Sequence, residues 1–325
     1  MRATVLTAVV GMAATAVATP AGAVPAEESA ASIRARVTRL YVQAERATER
    51  YNATAERVKR LTGRLHRTQQ RLARGQAEVN RLRDALGALA GARYRAGGVD
   101  PAVLLLLSDS PDDYLARAAA LQRISNIRRG QLYHLQRALR TVRQHRSEAA
   151  ATLAELERRR AALGRHKRSI ERKLATARSL LSQLTAAEAG RGRASRAGED
   201  GRGLLWGVTS DRRAAAAVAA AVRALGAPYG WGQAGPRAFD CSGLTQWAYA
   251  QAGVALPRTS QAQSRIGRRV SLAQARPGDL VIYRQDASHV AMYVGRGRVI
   301  HAPHPGARVR HDPVHMMPIS AVVRP

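Results

Sequence analysis

Cys241 is the single cysteine in a chain of 325 residues, and it stands in the run Phe239-Asp240-Cys241-Ser242-Gly243-Leu244. A cysteine does chemistry as a thiolate, and a helix N-terminus or a neighbouring histidine lowers its pKa from about 8.5 into the range of roughly 3.5–7.5. Gly235-Pro236 forbids a helix just upstream, Asp240 and Ser242 are helix-start residues, and Leu244, Trp247, Ala248 and Ala252 supply a buried face. The spacing therefore predicts Cys241 at the start of a helix. A base is then required, and the nearby histidines are His289, His301, His304, His311 and His315. His289 opens a strand-like run over 289–294 and His301 closes another over 299–301, so adjacent strands would put both imidazoles at one end of a sheet. A helix-borne cysteine, one histidine as base and a second polar group to orient it make up the nucleophile logic of cysteine hydrolases. Spacing alone leaves two alternatives open: unrelated surface histidines, and a metal site from His301, His304, His311 and His315, although no carboxylate or thiol pattern accompanies them.

The elements that must position these residues follow from periodicity. Short helices are expected at 214–225, 241–252 and 260–266, and strands at 279–283, 289–294, 298–301, 308–310 and 321–323. Helices first and a run of strands after them give an α+β class with an antiparallel sheet.

Upstream, apolar residues from 33 to 89 step by threes and fours in one register. One set is Val37, Ala44, Tyr51, Val58, Leu65, Leu72, Val79 and Leu86; the other includes Leu40, Ala47, Leu61, Leu82 and Leu89, weakened by Thr54, Thr68 and Gly75. A second run, from Leu132 to Leu184, is interrupted by Arg146, Arg160 and Lys167. This is coiled-coil spacing, and the two runs are expected to fold back as an antiparallel hairpin over 27–185 with a short helical tip near 99–120. Ser110 or Asp109 would cap the second helix, with Pro111 in its first turn. The four leucines at 104–107 read as a small local core or as a docking patch. Residues 186–212, rich in Gly, Ala and charge, read as a flexible linker ahead of a domain over 213–325.

Residues 1–23 combine Arg2, an apolar stretch and Ala21-Gly22-Ala23, the pattern of a cleaved export signal; a retained anchor competes, but the stretch is shorter than the ~20 residues that span a bilayer. Export explains why a lone thiol attracts attention, since secreted chains usually pair their cysteines or lack them. The net charge is +30, carried almost wholly by arginine. Such a surface draws polyanions such as nucleic acid, anionic lipid or acidic wall polymers, and export makes nucleic acid the least expected of these; a solvated coiled-coil surface with no dedicated partner explains the charge equally well. No cofactor is implied.

Six motifs in order, at 227–232, 239–244, 256–263, 277–283, 289–295 and 299–303, resemble the NlpC/P60 peptidase family over the last third of the chain. The layout of signal, helical hairpin, linker and peptidase is similar to actinobacterial cell-wall hydrolases. The resemblance implies a papain-like fold and cleavage of peptidoglycan stem peptides, typically between D-glutamate and the following diamino acid. It implies that Cys241 attacks the scissile carbonyl, that His289 serves as base and then acid, and that His301 orients His289. Tyr229 and the Cys241 backbone amide would bind the oxyanion or substrate. Asp240 and Ser242 would line the substrate site or simply cap the helix. Gln233 departs from the family pattern, which often has a glycine there. The expected enzyme is a secreted, wall-associated cysteine endopeptidase whose coiled coil regulates or localises it, in one version through a membrane-bound activator. The alternatives are an amidase or acyltransferase on the same fold, or a non-catalytic wall or division scaffold.

Overall fold

The computed structural model describes residues 29–95, 97, 103, 105, 110–189 and 211–325. The expected export signal at 1–23, the body of the linker and most of the hairpin tip lie outside the described residues.

Helix α1 (Ala30–Arg95) and helix α2 (Pro111–Ala189) pack along each other as an antiparallel pair. The direction is fixed by partners: Ala44 and Ala47 meet Ile170 and Leu174, Arg57 pairs with Glu155, and Gly75 lies against Val142. The α1 seam falls where the heptad places it, with Val37, Ala44, Ala47, Leu61 and Val79 buried and Thr68 buried among them. In α2 one expected set holds, Val142, Leu156, Ile170, Ala177 and Leu184 all being buried. The companion set holds only at Leu174. Arg146, Arg160 and Lys167 are exposed, Leu153 is 44% exposed, and Thr152 and Leu180, one residue earlier in the repeat, are buried in their place. Rotation by one position keeps the charges in water, which costs far less than burying them unpaired. Helix α2 also begins at Pro111, so the stretch expected as the latter half of a separate tip is the first turns of the long helix, and Ser110 caps it by accepting from Asp113 N at 3.2 Å.

The C-terminal part begins with helix α3 (Arg212–Arg223), capped by the Asp211 carboxylate, and helix α4 (Cys241–Gln251), followed by the single turn α5 (Ser260–Gln263). The strands are β1 (Arg268–Val270), β2 (Leu280–Tyr283), β3 (His289–Gly295), β4 (Arg298–His301), β5 (Arg310–Pro313) and β6 (Ile319–Arg324). They form one antiparallel sheet in the order β1-β6-β2-β3-β4-β5. Strand β1 has two exposed arginines and carries no apolar alternation to announce it. Strand β5 begins two residues later than expected, at Arg310.

One face of the sheet carries Leu280, Ile282, Val290, Met292 and Ile300 against α3 and α4, through Ala217, Ala221, Leu244, Ala248 and Phe239. The other face packs Val281, Tyr283, Ala291, Val299 and Val322 under Val314 and neighbouring methionines. Burial on both faces is why β2 reads as a continuous apolar run rather than an alternating one. A cysteine-bearing helix laid on an antiparallel sheet is the papain-like α+β arrangement that the resemblance implies.

Leu244 is fully buried and anchors the first turn of α4. Leu244→Ala should lower the unfolding free energy by roughly 2–5 kcal/mol through lost burial and the cavity left behind. A drop in the denaturation midpoint, read by Trp fluorescence in guanidinium, checks it; an unchanged midpoint would show that α4 is not held by this contact.

Candidate active site

Asp240 is the N-cap of α4, with extended φ −91° and ψ 178°, and its carboxylate accepts from Gly243 N at 2.7 Å. Gly243 is required here: a Cβ would lie 2.1 Å from the Gln233 carbonyl oxygen, which itself accepts from Asp240 N at 2.9 Å. The loop carrying Gln233 is thus pressed onto the start of the helix. Arg258 grips Asp240 with both terminal nitrogens, at 2.9 and 2.6 Å, and donates to Ser242 Oγ at 3.0 Å. Asp240 therefore does cap its helix, and it also holds Arg258 in the cleft. Cys241 follows at the first helical position, a free and buried thiol whose sulfur meets the Val290 backbone N–H on β3.

Strands β3 and β4 bring His289 and His301 side by side, as the strand positions predict. His289 Nε2 lies 2.8 Å from His301 Nδ1, and His301 Nε2 lies 2.8 Å from Asp312 Oδ2 on β5. Both imidazoles are buried, and burial is the main reason that both are held below the usual histidine range. His289 Nδ1 has no hydrogen-bond partner among the described residues. Tyr229 sits in the loop bridged to Phe239; burial, then the Cys241 sulfur and the carboxylates of Asp240, Glu45 and Glu49, push its phenol well up, so it belongs to the same cleft. The four-histidine alternative is not assembled. His304 stacks on Tyr41 at 4.4 Å between centroids, His301 is taken by Asp312, and His315 is exposed.

The residues that sequence reasoning missed come from α1. Glu45, Glu49 and Asn52, spaced by four and three, form one stripe that enters the cleft. Glu49 accepts from Ser242 Oγ at 2.8 Å and from Ser260 N at 3.0 Å, and its Oε1 lies 3.7 Å from Cys241 Sγ. Glu45 pairs with Arg284 and approaches His289 Nδ1 at 3.5 Å. Asn52 donates to Asp240 Oδ2 at 3.1 Å. Around this stripe, Arg46 bridges to Asp286 at 2.6 Å and Tyr51 meets Trp231 edge-on at 5.1 Å. The available signal was two glutamates one turn apart, off the apolar seam of an otherwise arginine-rich helix.

The helix start was expected to lower the Cys241 pKa, and in this arrangement it is raised well above the usual thiol value. Burial is the largest cause, and the carboxylates of Glu49, Asp240 and Glu45 add to it. The position was legible, but the sign is set by acids from the distant helix. The same burial raises Glu45 and Glu49 themselves to about 7 each.

Residues 226–322 match the NlpC/P60 family. A probable endopeptidase of Corynebacterium glutamicum is 47% identical over 109 residues, which are 34% of this chain and 52% of that protein. The probable endopeptidase p60 of Listeria monocytogenes is 48% identical over 100 residues, 30% of this chain and 20% of that protein. The chain thus spans about half the length of the first relative and a fifth of the second. Among solved structures, the NlpC/p60 domain of the peptidoglycan hydrolase SagA is 36% identical, covered over 98% of its length by 34% of this chain, with a TM-score of 0.33. The C-terminal part of the chain, behind its helical hairpin, is an NlpC/P60 domain and belongs to that family.

Proposed function

We propose that the protein is a secreted cysteine endopeptidase of peptidoglycan stem peptides, latched shut by its own first helix. What carries the reading is one observation: a buried thiol at the start of α4, its sulfur meeting the backbone N–H of Val290, the residue next to His289 in a His289–His301 pair linked at 2.8 Å. In the catalytic cycle His289 Nδ1 takes the thiol proton and the Cys241 thiolate attacks the carbonyl carbon. The oxyanion is met by the Cys241 backbone amide and Tyr229. The imidazolium then returns the proton to the leaving amine, giving a thioester, and water activated by the same histidine releases the acid. Preorganised donors at the oxyanion contribute on the order of 2.7–4 kcal/mol. The bond assigned is that between D-glutamate and the following diamino acid. The NlpC/P60 match over residues 226–322 and relatives described as probable endopeptidases support the peptidase reading.

Cys241→Ala in the full chain should abolish release of peptides from purified wall, and product masses should end at D-glutamate on one side and a free diamino-acid amine on the other. Residual cleavage by the alanine variant overturns the peptidase reading; cleavage at another bond reassigns the chemistry to an amidase or acyltransferase.

In the latched state Glu49 lies against the nucleophile and its carboxylate opposes formation of a thiolate. Substrate enters only when α1 leaves. Removing both carboxylates, as Glu45→Ala with Glu49→Ala, deletes hydrogen bonds to charged groups; a net loss of about 1.5–3 kcal/mol of docking energy raises wall digestion roughly 10- to 100-fold. An unchanged digestion rate counts against the latch. In the cell a membrane-bound activator acting on the hairpin would supply the same release.

The latch is also expected to respond to pH. Docked, Glu45 and Glu49 sit near 7, raised first by burial; undocked, a glutamate in water titrates near about 4.3. A group whose docked pKa is the higher one favours docking in its protonated form, so the latch is tightest below the undocked value and weakens as pH climbs towards 7. Activity of the full chain, divided by that of the Glu45→Ala, Glu49→Ala chain, should therefore rise between about pH 5 and 7 and then level off. A rise of roughly tenfold would correspond to one pKa unit of differential interaction. A flat or falling ratio contradicts this.

A further inference from the structure

Asp312 is not among the motifs that carry the family resemblance, yet it closes the histidine chain at the far side of the sheet. It lies on β5 opposite Val299, so that its carboxylate reaches past His301 on the neighbouring strand. Its Oδ2 is 2.8 Å from His301 Nε2 and 2.9 Å from Arg310 Nε. The other nitrogen of His301 is 2.8 Å from His289 Nε2, and His289 Nδ1 opens on the cleft, 3.5 Å from Glu45 Oε1.

Each contact in this chain allows only one proton, and one end of the chain is fixed. An ionised carboxylate only accepts, so His301 Nε2 must donate to Asp312. A neutral His301 then presents a lone pair at Nδ1, and His289 Nε2 must donate to it. A neutral His289 is left with its lone pair on Nδ1, the nitrogen on the cleft side. Ionisation states support this sequence. Burial raises Asp312, but the hydrogen bonds from His301 and Arg310 outweigh it and hold the carboxyl below its usual range. Burial keeps both histidines neutral: on His301 it wins over Asp312, which pulls the other way, and on His289 it is joined by His301, Arg284 and His304.

We infer that Asp312 is a positioning residue of the hydrolase site, which through His301 fixes His289 in the Nε2–H tautomer and so makes Nδ1 the base presented to Cys241. It touches neither substrate nor nucleophile. The inference rests on the peptidase reading for its purpose, while the tautomer itself can be tested separately.

Two-dimensional 15N–1H correlation through the imidazole rings of the 15N-histidine-labelled full chain at pH 7.5 reports each tautomer directly. His289 and His301 are assigned by their loss in single His→Gln variants. Both should appear as Nε2–H with an unprotonated Nδ1. Asp312→Ala should convert His289 to a mixture of tautomers and reduce kcat by about 10- to 100-fold, the usual scale for losing a supporting partner of an active histidine, with KM little changed. Asp312→Asn, which keeps an acceptor oxygen, should preserve the tautomer better than the alanine. His289 found as Nδ1–H in the unsubstituted chain overturns the inference whatever the variants do. So does an Asp312→Ala chain that keeps both tautomer and kcat. Should Cys241→Ala still cleave wall, the peptidase reading falls while the tautomer result stands by itself.

Discussion

The ion pair between Asp240 and Arg258 is the interaction on which the other contacts of the cleft converge. Both groups are almost wholly out of water, Asp240 at 0% and Arg258 at 10% side-chain exposure. Such a pair has a small net contribution to stability, but removing one partner leaves a buried charge uncompensated, at a cost of about 3–5 kcal/mol. That penalty forces several elements to stay together. The carboxylate caps α4 and so sets where Cys241 points; the guanidinium fixes the loop before α5, whose Ser260 amide faces the cleft; and Asn52 of α1 donates to the same carboxylate. One buried acid thereby serves Cys241, the wall of the cleft and the helix that fills it.

Filling that cleft with carboxylates has an electrostatic logic. A cysteine hydrolase depends on separating charge, thiolate on one side and imidazolium on the other. Burial disfavours both ions, and Glu45 and Glu49 add negative potential where the thiolate would form. An apolar plug would exclude substrate equally well, but it would leave the ion pair free to form. In the proposed latch an acidic plug opposes the reactive state as well as the substrate, and it places Glu45 near Arg284 and Glu49 near Arg258, arginines that stabilise the docked form.

Much of the C-terminal part was legible in the residues. Helix-start chemistry around Cys241 and the strand-end positions of His289 and His301 follow from local rules, and local rules decide them because capping and β alternation act over a few residues. Asp240 was read as either a cap or a substrate contact, and its geometry shows the cap directly. What the sequence could not display was any contact between parts distant in the chain. Glu49 and Ser242 are 193 residues apart, and no periodicity relates them. Asp312 was hidden for a related reason: its role depends on strand β5 lying beside β4, a pairing of two short strands with weak apolar signal. One of the two α2 sets was misplaced by one position at Leu153 and Leu181, where Thr152 and Leu180 are buried instead, because the cost of burying Arg146, Arg160 and Lys167 overrode apolar content.

Helix α1 is one uninterrupted rod of 66 residues, and its contacts with the cleft lie near one end, between Tyr41 and Asn52. At 1.5 Å per residue, Arg95 stands about 69 Å from Glu49, whereas Tyr41 is about 12 Å from it on the other side. A rigid tilt of roughly 10° about Glu49 would then carry Arg95 through about 12 Å while moving Tyr41 by about 2 Å. The hairpin is in this sense a lever with a mechanical advantage near six, pivoted beside Cys241. A weak but long-travelling pull at its far end becomes a short, strong displacement at Tyr41, where α1 stacks on His304.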